Sequence, residues 1–169
     1  MGFYTMVPDN LGHRYRKGDP VMMVKETIEK EILLNEKEAG VNTKRFRILV
    51  VEDEVDIATA LGDLLELWGY EVRVVHDGLE ATKVALSYLP EVVLLDIDLP
   101  GMDGYQIAQW LQQDTRLAKT VRVAVTGYGQ EEDRRRAQEA GFDYHFTKPV
   151  APIILQELLA HLQKCRERG

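Results

Sequence analysis

Two regimes of hydrophobic patterning divide the chain. From Arg45 onward, short apolar runs alternate with stretches of helical period. Residues 46–51 (FRILVV) read as a buried strand rich in β-branched side chains. Residues 56–68 place Ile57, Leu61, Leu64, Leu65 and Trp68 at helical spacing, and Gly69 ends the run. The alternation then repeats. Strands are expected over 71–75, 92–95 (VVLL), 121–125 (VRVAV) and 142–146. Helices are expected over 79–88, 104–113, 130–140 and 152–165. The 104–113 helix turns Ile107 and Leu111 inward, the 130–140 helix is polar and stopped by Gly141, and the last carries Ile153, Leu155, Leu158, Leu159 and Leu162. Five β-α units with short links predict a parallel sheet with helices on both faces, an α/β doubly wound fold.

Before Arg45 the texture differs. Residues 1–20 show neither period and hold two Pro and three Gly, so they are expected to be irregular. Over 21–39, Val24, Ile28 and Ile32 step by four and Gly40 offers a stop, which predicts a helix. Its heptad continuation meets Glu31 and Asn35, so a linker helix is expected rather than a coiled coil. The chain therefore divides into a partly helical extension, 1–45, and a domain, 46–169.

Charge sharpens this division. The formal charge of −7 is the sum of +1 over residues 1–45 and −8 over 46–169. A net acidic domain argues against nucleic acid as a partner. The single cysteine, Cys165, excludes an internal disulfide framework and a Cys-rich zinc site, and suits the cytoplasm. No apolar run reaches membrane-spanning length, so no membrane segment is expected.

In open α/β sheets, ligands bind at the carboxyl ends of the strands. Strand one ends in Glu52-Asp53, strand three in Asp96-Ile97-Asp98, strand four in Thr126-Gly127 and strand five in Thr147-Lys148-Pro149. Taken singly, each is ordinary cap, turn or surface chemistry. Together they gather several carboxylates, a hydroxyl and an ammonium on one rim. Crowded carboxylates repel unless a cation lies among them, and oxygen-only ligands with a phosphoryl group suit Mg²⁺. Asp96 is then a candidate nucleophile that would form an acyl phosphate, with Mg²⁺ and Lys148 neutralising the transferring oxygens. Thr126 can donate one hydrogen bond to an anionic oxygen. Strand two gives the site nothing, which fits an edge place in the order 2-1-3-4-5.

The texts ILVVEDE, LLDIDLPGMDG, VTGYG and GFDYHFTKPV follow one another in the order and spacing of a known family. Over residues 46–165 the chain resembles the receiver domain of two-component response regulators, of the chemotaxis-regulator type. The resemblance implies a flavodoxin-like fold and phosphorylation of Asp96 by a histidine kinase or histidine phosphotransfer protein. It implies Asp53 as a direct Mg²⁺ ligand, Glu52 as a ligand through water, Asp96 as ligand and nucleophile, and the backbone carbonyl of Asp98 as a further ligand. Thr126 and Lys148 would bind phosphoryl oxygens. Asp98 and Tyr128 would flank the path of the attacking water, and Pro149 would follow a cis peptide bond. Such a protein is no enzyme beyond catalysing its own phosphorylation and dephosphorylation.

One position departs from the family. Receivers commonly carry Tyr or Phe three residues before the lysine as a switch partner of the threonine; here it is His145. With no output segment after the last helix, signalling is expected through protein contact, by a free-standing receiver or the receiver of a hybrid kinase. The expected surface is fourth helix, fifth strand and fifth helix, where Arg134-Arg135-Arg136 would form a basic cluster and a second copy could dock. Two rivals are a haloacid-dehalogenase-like phosphatase and a phosphate-independent receiver-fold interaction module. The first wants Thr or Val where Pro100 stands and a later acidic pair; the second does not need the intact site residues.

Overall fold

The computed structural model describes residues 6–8, 14–16, 45–127 and 129–168. A two-stranded antiparallel ribbon, β1 (Met6–Pro8) with β2 (Arg14–Arg16), lies in the segment expected to be irregular. Three-residue strands are too short to show a period in sequence. The helix expected over 21–39 lies outside the described residues.

The main sheet is parallel throughout. It comprises β3 (Arg47–Val51), β4 (Glu71–Val75), β5 (Val92–Leu95), β6 (Val121–Thr126) and β7 (Tyr144–Thr147), in the order β4-β3-β5-β6-β7. Counted from β3, this is the expected 2-1-3-4-5. Five helices connect and cover it: α1 (Val55–Leu67), α2 (Gly78–Tyr88), α3 (Gly104–Gln113), α4 (Glu131–Glu139) and α5 (Pro152–Glu167). Among the described residues no helix is long and apolar enough to cross a membrane.

Side-chain alternation along the strands builds two cores. Leu49, Val51, Val93, Leu95 and Ala124 face Ala81 and Ala85 of α2, Ile107 and Leu111 of α3, and Ala137 of α4. Ile48, Val50, Val72, Val92, Leu94, Val123 and Val125 face Leu65 of α1 and Leu155 and Leu159 of α5. Strands covered on both faces need apolar residues at every position, which is why VVLL shows no alternation.

Helix ends are set by local chemistry. Gly69 and Gly141 both sit at φ 92 just past a helix. The amide of the next residue, Tyr70 or Phe142, donates to the carbonyl of Leu65 or Ala137, closing two Schellman caps. The second cap shortens the expected fifth strand. Phe142 serves the cap and packs edge-on against Tyr105 at 6.3 Å, so pairing begins at Tyr144.

Two apolar stripes are also corrected. Ile57 and Ile153 are 40% and 57% exposed, although each continues a helical apolar stripe. Both occupy first turns, at the carboxyl edge of the sheet, whereas Leu65 of α1 and Leu155 and Leu159 of α5, further along their helices, are buried.

Gly104 admits the start of α3 against the strand-end backbone. A Cβ there would lie 2.5 Å from the Asp96 carbonyl oxygen and 2.7 Å from Ile97 Cα. These are backbone atoms of a buried strand end and cannot swing aside. Gly104→Ala is expected to lower stability by about 1–3 kcal/mol, read as a lower denaturant midpoint at unchanged slope.

Candidate functional site

Register assembles the site. Val51 pairs with Val75 on one side and with Leu95 on the other. The residues that follow, Glu52, His76 and Asp96, therefore leave three adjacent strands in one row. Glu52 N–H still donates to Val75 O at 3.1 Å, and Asp96 N–H to Val51 O at 3.0 Å. On the other half of the rim, Thr126 pairs with Thr147, and the Lys148 amide donates to the Thr126 carbonyl at 2.8 Å.

Glu52, Asp53 and Asp96 each offer a carboxylate oxygen, and these lie within 4.8 Å of one another. Glu52 and Asp96 are buried, and Asp53 is exposed. Lys148 reaches across from the end of β7. Its Nζ donates to Glu52 Oε2 and Asp96 Oδ2, both at 2.6 Å. The second oxygen of Asp96, Oδ1, accepts the Asp98 amide at 3.0 Å. Glu52 Oε1 is buried without a hydrogen-bond partner.

Electrostatics follow from this crowding. Burial pushes the Glu52 carboxyl above its usual range; the Lys148 hydrogen bond opposes this and the Asp96 charge adds to it. Asp98, although exposed, is raised by partial desolvation and then by the charge of Asp96. Burial alone would lower the Lys148 ammonium, but its bonds to Asp96 and Glu52 outweigh this and hold it above the usual range. Three carboxylates against one ammonium leave an excess of negative charge, and an orphaned buried oxygen adds an unmet demand for a positive partner. A hard divalent cation fits both, since every available donor is oxygen.

The remaining expected residues fall around this centre. Thr126 is fully buried at the last position of β6, and Gly127 after it opens to solvent. The Lys148–Pro149 peptide is cis. Tyr128 lies outside the described residues. His145 sits opposite Ala124, two positions before Thr147, and so shares the sheet face of Thr126. Its Nε2 is buried without a partner. Burial, reinforced by Arg134, pushes the imidazole below its usual range, which favours the neutral form.

The three arginines of α4 do not form one cluster. Arg135 pairs along its own helix with Glu132 and Glu139, at 3.8 and 3.7 Å. Arg136 turns to the Tyr105 ring, its guanidinium carbon 4.7 Å from the centroid. Consecutive helical residues point about 100° apart, so a run of three cannot share a face.

His76 is the contact that sequence reasoning missed. It follows the edge strand, set aside as outside the site, yet its Nδ1 lies 2.9 Å from the Glu52 carbonyl oxygen. The alignment of strand ends was the available signal.

A doubly wound domain with strand order 2-1-3-4-5 and an acidic, lysine-bridged centre at its carboxyl rim is of the flavodoxin-like class. Residues 48–161 match the model of the response regulator receiver domain, and the chain belongs to that family. The polar-differentiation response regulator DivK of Brucella anthropi is 30% identical over 116 residues, 68% of this chain and 94% of DivK. The DNA-binding dual master transcriptional regulator RpaA of Synechocystis is 31% identical over 122 residues, 72% of this chain but 49% of RpaA. A CheY-like receiver domain protein from Methanospirillum hungatei superposes with TM-score 0.67 at 28% identity, over 75% of this chain and all of that one. The receiver domain of a Syntrophus aciditrophicus signal transduction histidine kinase does so at 0.67 and 30%, over 73% of this chain and 93% of that one. The family serves two-component signalling, in company with histidine kinases or phosphotransfer proteins.

Proposed function

We propose that this chain is the phospho-accepting receiver of a two-component phosphorelay, with Asp96 as acceptor. The observation that carries this is the bridge of Lys148 between Glu52 and Asp96, with Asp53 alongside. An Asp96 carboxylate oxygen attacks the phosphorus of a phosphohistidine on a kinase or phosphotransfer protein. A P–O bond forms, the P–N bond breaks, and the imidazole keeps the electron pair. Asp53 and Asp96 would hold Mg²⁺ directly, Glu52 through water, and the Asp98 carbonyl would complete the protein ligands. When bound, Mg²⁺ supplies positive charge to the transferring oxygens.

Lys148 then follows the new phosphoryl oxygens, and the Thr126 hydroxyl donates to one of them. That pull frees space on the Thr126 side of β7, which His145 would fill in place of the family's aromatic residue. The face formed by α4, β7 and α5 changes shape and binds a partner protein or a second copy. The chain acts in the cytoplasm, either free-standing or as the receiver of a hybrid kinase.

Incubation with acetyl phosphate and MgCl₂, followed by intact mass measurement, tests this. A single stable phosphoryl adduct, lost on chelation of the metal before the reaction, supports the receiver. Turnover of many phosphomonoesters supports a phosphatase, and no adduct supports a phosphate-independent module. His145→Ala is expected to take the adduct in this assay but, in a solution-mass measurement, to lose any assembly that beryllofluoride induces in the wild type. Unchanged assembly in this variant removes His145 from the switch.

A further inference from the structure

We propose that His76 is a positioning residue that orients the Glu52–Asp53 peptide from the edge strand. The inference deepens the phosphorelay reading and rests on it for the role of the cation. Parallel pairing of β3 with β4 ends at Val51 and Val75. Beyond that pair the backbone ladder stops, but the grip on Glu52 continues. Its N–H donates to Val75 O at 3.1 Å, and its C=O meets His76 Nδ1 at 2.9 Å. A carbonyl can only accept, so the ring carries its proton on Nδ1. Glu52 is thus held at both its N–H and its C=O, by the last residue of β4 and by the residue that follows it.

The loop needs such a hold. Two of the three carboxylates that lie within 4.8 Å of one another, Glu52 and Asp53, stand on it. Their mutual repulsion and that of Asp96 push the loop away from the centre. Lys148 restrains the Glu52 side chain, whereas His76 restrains the peptide that carries Asp53. Hydrogen-bond partners behind metal-facing groups fix their orientation in this way. His76 is itself exposed, so its replacement should leave the core intact.

The test compares the full chain with His76→Ala and His76→Asn. The Asn side-chain nitrogen is attached to Cγ, as Nδ1 is, and can donate to the same carbonyl. Magnesium chloride titrated against backbone amide shifts is expected to give about three- to tenfold weaker binding for Ala, and a value close to wild type for Asn. Without added metal, hydrogen exchange at the Glu52 amide, which donates to Val75 O in the same grip, should quicken in Ala and recover in Asn. Wild-type affinity and exchange in Ala, or Asn as impaired as Ala in both, overturns the proposal. If the wild type shows no magnesium response at Asp53 and Asp96, the metal reading fails, and the exchange comparison decides His76 by itself.

Discussion

Asp96→Asn is expected to reduce phosphoryl uptake from acetyl phosphate to background while leaving the fold in place. The substitution is nearly isosteric. The amide oxygen can still accept the Asp98 N–H now bound at 3.0 Å, and Lys148 keeps Glu52 as a partner at 2.6 Å. What disappears is the nucleophile, because a neutral amide oxygen does not form an acyl phosphate. Intact mass after reaction, with circular dichroism as the control for folding, reads both arms. An adduct that persists in Asp96→Asn would place the acceptor elsewhere and end the reading of this rim as a phosphorylation site.

Removal of the ammonium should produce the largest loss of stability. In Lys148→Met the apolar stem stays and Nζ goes. Glu52 and Asp96, 3% and 6% exposed, then face each other without their bridge. Breaking a buried ion pair on one side costs about 3–5 kcal/mol. Lys148 is itself 23% exposed, so the expected loss is at the lower end, about 3 kcal/mol. The pH dependence has a definite sign. Glu52 already titrates above its usual range and rises further without Lys148. A carboxyl raised in the folded state binds more protons there than in the unfolded chain, so stability falls as pH rises through that window. The deficit of the variant should therefore shrink on acidification from neutral pH into the carboxylate range. Magnesium should also restore part of it by binding the native state. Urea unfolding at two pH values, with and without the cation, measures all three effects. A variant as stable as the wild type at neutral pH would show that the bridge is solvated and carries little.

Legibility from sequence followed whether a signal was local. The strands Glu71–Val75 and Val92–Leu95 and the helix Gly104–Gln113 were bounded by their own residues. Gly69 and Gly141 marked two helix ends because the αL cap position favours glycine. Glu52, Asp53, Asp96, Thr126 and Lys148 could be gathered because parallel topology puts all strand ends on one rim. Contacts set by tertiary packing were not visible. Ile57 fits an apolar stripe but lies in a first turn at the carboxyl edge of the sheet. Arg136 belongs to a triplet of arginines, yet its partner is Tyr105 on another helix. His76 follows a strand whose edge position argued for setting it aside, and only the register of β4 with β3 brings it to Glu52.

The span of the lysine bridge bears on the order in which the molecule assembles. Lys148 meets Asp96 across 52 residues and Glu52 across 96, from a strand separated from β3 by two others in the sheet. Contacts of such sequence separation close late, since the loop entropy is spent before they form. The complete rim therefore exists only once the last strand has docked. A cation bound there would act as a brake on unfolding and give little help to the folding chain.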